Sequence, residues 1–342
     1  MKTTITINRL AEWAQKLRAG TKSFASGNQP EAFYEAMTHN KWFTKENIIV
    51  SINALAEMIS DENTVNEWLA KYPEPSSDPK KILLILAGNI PAVGFHDVLC
   101  TLLSGHSAEI KLSSDDKFLI PWMLRNAEKY FPEWTDRIHY HEGLIQNFDG
   151  VIATGSNQSA KTFKSYFSAK PHIIRHSRSS IAVINNNDSD EDLKKLGDDV
   201  FMYFGLGCRN VSLIFLPQGF DKQRLFDAFL SWKDLEYHNA FANNYVYYKG
   251  YFSLSKEEPL DGSFYLLREN LSTAAPVAVL HYTEYTHIND VKKYIAENEE
   301  HIQCIVSTQN EIENAVKPGQ AQSPRIDEYA DGVDTMAFLA AL

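Results

Sequence analysis

From Lys81 onward, short apolar runs of strand length alternate with longer stretches of helical spacing, and this alternation most constrains the fold. The run from Ile82 to Ala87 reads as a buried strand, followed by a helix from about Gly94 to Leu103. Further strands are predicted at Ala108 to Leu112, Arg137 to His141 and Val151 to Thr154, with helices near Asp116 to Tyr130 and Ser156 to Phe167. Strands separated by crossover helices pair in parallel. A second alternating region has strands at Ile181 to Ile184, Val211 to Leu216, Val277 to His281 and Ile302 to Ser307. Its helices are predicted at Asp190 to Phe204, Phe220 to Trp232 and Ile288 to Glu297. The fold class is therefore α/β, with two parallel-sheet domains and no tandem repeat or low-complexity tract.

The residues before Lys81 are of another kind. Leu10, Trp13, Ala14 and Leu17 fall on one helical face, and Ile48, Ile52, Leu55, Ala56 and Ile59 on another. Then Pro73, Pro75 and Pro79 forbid regular helix and mark a linker. These breaks divide the chain into a helical N-terminal region (1–72), a first α/β domain (73–178), a second (179–315) and a C-terminal tail (316–342). A length of 342 residues with 44% apolar and 12% aromatic content supports two such cores.

A net charge of -11 opposes attraction to a phosphate backbone, so nucleic acid is not an expected partner. Three scattered cysteines, Cys100, Cys208 and Cys304, do not make a disulfide framework, and the start at Met1-Lys2-Thr3-Thr4 has no secretory pattern. No apolar run reaches the roughly 20 residues that span a bilayer. The expected compartment is the cytoplasm.

Candidate chemistry centres on Cys208, in Tyr203-Phe204-Gly205-Leu206-Gly207-Cys208-Arg209-Asn210, between a predicted helix and a predicted strand. Small glycines on its N-terminal side leave the sulfur approachable, as a nucleophile for a carbonyl requires, and its own N–H can face the oxyanion that forms. A buried thiol acting as a small hydrophobe is the alternative. Asn89, in Gly88-Asn89-Ile90-Pro91, offers a side-chain N–H to an oxyanion or merely stabilises a turn. Lys111, ending a strand before Ser113 and Ser114, can bond an adenosine ribose or stay solvated. Thr154-Gly155-Ser156 opens a helix, where backbone N–H groups attract a pyrophosphate or Ser156 serves as an ordinary N-cap.

Read in order, Gly88-Asn89-Ile90-Pro91, Lys111-Leu112-Ser113-Ser114, Thr154-Gly155-Ser156 and Gly205-Leu206-Gly207-Cys208 resemble the motifs of the aldehyde dehydrogenase superfamily. The resemblance is to its acyl-CoA reductase branch, which includes the fatty acyl reductase component of bacterial luminescence systems. It covers about Lys81 to Thr308. It implies that Cys208 is the nucleophile and Asn89 the oxyanion donor, and that Lys111, Ser113, Ser114, Thr154, Gly155 and Ser156 hold a dinucleotide. The absence of Gly-x-Gly-x-x-Gly after the first strand agrees with that superfamily.

Two departures refine the expectation. Hydrolytic members carry a glutamate base where Arg175-His176-Ser177-Arg178 stands here, so deacylation by water is disfavoured. The glutamate that holds the nicotinamide ribose in oxidising relatives is missing from Ser272-Thr273-Ala274-Ala275-Pro276-Val277. NAD-preferring relatives often have a glutamate where Ser114 stands, which favours NADPH, with NADH possible; Asp115 and Asp116 beside it can restore repulsion to a 2′-phosphate. The expected function is an acyl-CoA reductase that forms an acyl thioester on Cys208 and reduces it with NADPH to an aldehyde. Arg209 and Arg175 are the candidate cations to lower the thiol pKa. An acyl-phosphate reductase and an inactive dinucleotide-binding regulator are the alternatives. Acyl-CoA or another acyl thioester is the expected partner, and a homo-oligomer is possible from the resemblance. No metal is expected: His139, His141 and Glu142 have metal-ligand chemistry, but the two histidines alternate along a strand without a further ligand set.

Overall fold

The apolar stripes of the first seventy residues fold into four helices, α1 (Lys2–Ala25), α2 (Glu31–His39), α3 (Lys45–Ser60) and α4 (Glu62–Leu69). Thr44 caps α3 by accepting from the Asn47 N–H at 3.2 Å, and Asp61 caps α4 through the Thr64 N–H at 3.3 Å. Leu10, Trp13, Ala14, Leu17, Ile48, Ile52 and Ala56 are all fully buried. Trp13 sits edge-on to Phe131 and Trp134, and its indole N–H donates to the Met123 carbonyl at 3.2 Å.

The computed structural model describes residues 2–143 and 145–342. The chain forms two units, one running up to Ser177 and regaining Ser323–Leu342, the other Arg178–Gln322. In the first, β1 (Lys81–Ile85), α5 (Phe95–Leu103), β2 (Ser107–Lys111), α6 (Leu119–Ala127), β3 (Ile138–Tyr140), β4 (Gly150–Thr154), α7 (Asn157–Phe167) and β5 (His172–Arg175) follow one another. The strands form a parallel sheet in the order β3-β2-β1-β4-β5. Ile82 and Leu84 point to the side that shares a core with Trp13 and Trp68, whereas Leu83 packs with Val151, Ala153 and Phe167 on the other. Burial on both faces explains why the run is continuously apolar rather than alternating. The proline-rich segment Tyr72–Pro79 thus joins elements of one core.

The last twenty residues return to this unit. Ile326, Met336 and Leu339 are buried in the same core, the latter two on α12 (Thr335–Ala340), and His106 Nε2 donates to the Leu339 carbonyl at 3.0 Å.

The second unit contains β6 (Ser179–Val183), α8 (Asp190–Phe201), β7 (Val211–Pro217), α9 (Gln223–Phe229), α10 (Asn239–Leu254), β8 (Leu260–Asp261), β9 (Leu266–Glu269), β10 (Val279–Tyr285), α11 (Ile288–Glu297) and β11 (Ile302–Ser307). Its sheet runs β11-β6-β7-β10-β9-β8, parallel except where β8 meets β9. A capping box between Ser189 and Asp192 starts α8.

Strands β5, β8 and β9 have no counterpart in the sequence reading, and three further elements depart from the periodicity. The helix predicted to reach Phe204 ends at Phe201, because Tyr203 and Phe204 take left-handed backbone. The strand predicted from Val277 begins at Val279, after a turn in which the Val279 N–H donates to the Pro276 carbonyl at 3.0 Å and Ala278 has φ 65°. Helix α10 has no counterpart in the sequence reading, since its tyrosines and phenylalanines surround the axis without a polar face. Among the described residues no helix is long and apolar enough to cross a membrane.

Candidate active site

The strands β2, β1 and β4 lie side by side and leave the first sheet at the same edge, where the strand order reverses. Three sequence-predicted segments therefore converge there. Gly88 makes the close approach possible: a Cβ at this position would lie 2.6 Å from Ser113 Oγ and 3.0 Å from the Asp116 nitrogen. Asp116 is buried and accepts from the Ala92 N–H at 2.7 Å and the Leu119 N–H at 3.3 Å. Burial pushes its carboxyl up to about 6 against these donors. Ser51 Oγ donates to the Pro91 carbonyl at 2.6 Å. With Gly88 and Pro91 both buried, Asn89 is exposed between two fixed points.

Lys111 ends β2, and its ammonium donates to the Gly143 carbonyl at 3.2 Å. Ser113 Oγ accepts from the Asp115 N–H at 3.2 Å, and Ser114 is exposed. The same turn is held from behind by the N-terminal helices: His39 Nε2 donates to the Ser114 carbonyl at 2.5 Å and Asn40 Nδ2 to that of Asp115 at 3.2 Å. Thr154 ends β4, and Ser156 is the N-cap of α7, accepting from the Ser159 N–H at 3.2 Å. A Cβ on Gly155 would lie 2.8 Å from Ser159 Cβ, so only glycine lets this turn close on the helix start.

Cys208 belongs to the second unit, at the edge where β7 begins. Tyr203, Phe204 and Gly205 have φ of 53°, 61° and 75° in succession. For the two residues with a Cβ this conformation costs roughly 1–2 kcal/mol each. Burial offsets the cost: both residues are 5% exposed, and the ring centroid of Phe204 lies 4.1 Å from that of His238. The Asn210 side chain ties the loop to the end of α8, and Ser180 Oγ donates to the Cys208 carbonyl at 3.0 Å. Neither residue carries a role in the sequence reading, although Asn210 stands two positions after the cysteine.

The three thiols differ in access. Cys208 is half-buried, Cys304 is 8% exposed and Cys100 is fully buried. Burial pushes the Cys100 thiol well above its ordinary range, which keeps it inert. Arg209 donates through Nε to the Ala321 carbonyl and approaches Cys304 Sγ with Nη2 at 3.6 Å. Arg175, the other cation expected to act on the thiol, ion-pairs with Asp97 inside the first unit.

His141 pairs with the buried Glu109 at 2.5 Å, and His139 is exposed on β3. Among the described residues no group of three or more histidine, cysteine or acidic side chains is placed to hold a metal.

The family model for acyl-CoA reductase (LuxC) matches residues 11–227, well over half of the chain. No curated protein matches the sequence. Among solved structures, P. syringae indole-3-acetaldehyde dehydrogenase with NAD+ is similar at a TM-score of 0.66 and 12% identity, covering 94% of this chain and 75% of that one. NAD-dependent aldehyde dehydrogenase from Sinorhizobium meliloti gives 0.65 and 12%, covering 92% and 72%. NADP-dependent glyceraldehyde-3-phosphate dehydrogenase from Bacillus halodurans, complexed with NADP, gives 0.62 and 12%, covering 90% and 74%. The fold is that of the aldehyde dehydrogenases.

Proposed function

The chain belongs to the acyl-CoA reductase (LuxC) family, and from that premise we propose that it reduces an acyl-CoA to an aldehyde through an acyl thioester on Cys208. The observation that carries this reading is the half-buried cysteine at the end of a loop with two left-handed side-chain-bearing residues, because backbone of this kind clusters at active sites. Cys208 thiolate adds to the thioester carbonyl, CoA thiolate leaves, and the acyl group stays on sulfur. The oxyanion is assigned by the resemblance to Asn89, which is exposed on its turn and carries the side-chain N–H that role requires. Arg175 occupies the position that the resemblance gives to a hydrolytic base, and its pairing with Asp97 leaves no base there to activate water.

The residues fit a nicotinamide dinucleotide. Gly88 and Gly155 keep the strand ends free of side chains, and Ser156 opens an eleven-residue helix whose first N–H groups suit a pyrophosphate. Lys111 and Ser113 are assigned to the ribose. When bound, a reduced dinucleotide supplies the hydride that takes the acyl carbon to the aldehyde level. The similar solved structures hold NAD+ in one case and NADP in another. NADPH is the proposed cofactor, with NADH the weaker substitute, because Ser114 brings no carboxylate and Asp116 is turned inward to the Ala92 N–H, which leaves the exposed Asp115 as the carboxylate of that turn that opposes a 2′-phosphate.

Intact mass after mixing with acyl-CoA, without reductant, tests the reading. Acyl mass is expected on the wild type and not on Cys208→Ala. Equal adducts on both, or none on the wild type across chain lengths, overturn it.

A further inference from the structure

We propose that Asn210, assisted by Ser180, is the positioning residue that holds the Cys208 loop in its left-handed form. The proposal rests on Cys208 being the nucleophile. Asn210 is 2% exposed. Its Nδ2 donates to the carbonyls of Met202 at 2.9 Å, Asp199 at 3.1 Å and Val200 at 3.3 Å, and its Oδ1 accepts from the Gly207 N–H at 2.8 Å. Two N–H groups serve three carbonyls, so one is shared.

Asp199 and Val200 belong to the last turn of α8, whose carbonyls have no partner within the helix. A helix commonly closes these groups with one left-handed residue, usually glycine. Here closure comes from a side chain beyond the loop, and Tyr203, Phe204 and Gly205 are left-handed in succession. Asn210 is thus the clasp of a loop that starts at the helix end and carries Cys208 just before its closure. The peptide N–H preceding Cys208 is held by Asn210 Oδ1, and the carbonyl of Cys208 accepts from Ser180 Oγ at 3.0 Å. The Asn210 N–H also donates to the Gly207 carbonyl at 3.1 Å. The backbone is fixed on both sides of the thiol. Only an amide supplies both the acceptor for Gly207 and the donors for the helix end. An aspartate of the same shape keeps the acceptor and turns an anionic oxygen toward three carbonyls.

The test compares Asn210→Asp, Asn210→Ala and Ser180→Ala with wild type, after thermal unfolding has established which are folded. Iodoacetamide labelling of Cys208 across pH reports the loop without using substrate. Single-turnover acylation by acyl-CoA and steady-state kinetics report its use. The folded Asn210 variants are expected to acylate roughly a hundredfold more slowly, with a lowered kcat, a nearly unchanged KM and a displaced pH profile of alkylation. Ser180→Ala, which loses one hydroxyl, is expected to move the same readouts in the same direction by less. Folded variants with the wild-type profile and rate overturn the proposal. If neither Asn210 variant folds, an unchanged profile in Ser180→Ala overturns it. A wild type that takes no acyl group sinks the nucleophile reading instead, and the alkylation profiles still decide whether Asn210 positions the thiol.

Discussion

Arg175 on β5 and Asp97 on α5 form a buried ion pair, with the arginine 3% and the aspartate 8% exposed. The Arg175 guanidinium also donates to Thr335 Oγ1 at 2.9 Å, so one cation ties a strand, a helix and the returning C-terminal helix. Removing one partner strands a charge in the core. Asp97→Ala is expected to destabilise the protein by about 3–5 kcal/mol. Urea denaturation measures this, and an apolar pair such as Asp97→Leu with Arg175→Met should recover much of the loss.

Thiol labelling should separate the cysteines. Native protein is expected to react rapidly at Cys208 alone, with Cys304 slow and Cys100 silent until denaturant is added. Peptide mapping after brief alkylation reads this directly. Rapid modification of Cys100 would mean that α5 opens far more readily than its burial allows.

Gly88→Ala should act through the turn it faces. The new Cβ would sit 2.6 Å from Ser113 Oγ and 3.0 Å from backbone at Asp116, and the backbone cannot rotate away. A destabilisation of about 1–3 kcal/mol is expected. Because Ser113 belongs to the proposed dinucleotide site, cofactor affinity measured by calorimetry should fall as well.

Asp199 makes stability depend on pH. Its carboxyl accepts from the Gly319 N–H at 2.6 Å and the Ala321 N–H at 2.8 Å. Burial dominates over these donors and over Arg209, Asp198 adds repulsion, and the group is pushed up to about 7 from 3.8. Between these values the folded chain holds a proton that the unfolded chain releases, so this group's contribution falls as pH rises from about 4 to about 7 and is level above. Melting temperature against pH should show that slope in wild type and a flatter one in Asp199→Asn.

Much of this architecture was legible before any coordinates. Ile82 to Ala87 and Val151 to Thr154 announced strands because both faces of each are buried. Gly88, Lys111 and Thr154 were readable as strand exits for the same reason, and parallel pairing then brings those exits together. The helix stop at Phe201 was not readable, since α8 is closed by the side chain of Asn210 from across the loop. Nor was the fate of Arg175, whose partner Asp97 lies far away in the chain.

Local periodicity and glycine placement therefore determined most of the elements, their parallel pairing and the strand ends at which the candidate residues stand. Tertiary structure alone decided that the N-terminal helices and residues 323–342 share the first sheet's unit, that Asp116 turns inward, and that the Cys208 loop is clasped by Asn210. The physical reason is that spacing along a chain records whether a side chain is buried, whereas its partner is chosen by three-dimensional packing.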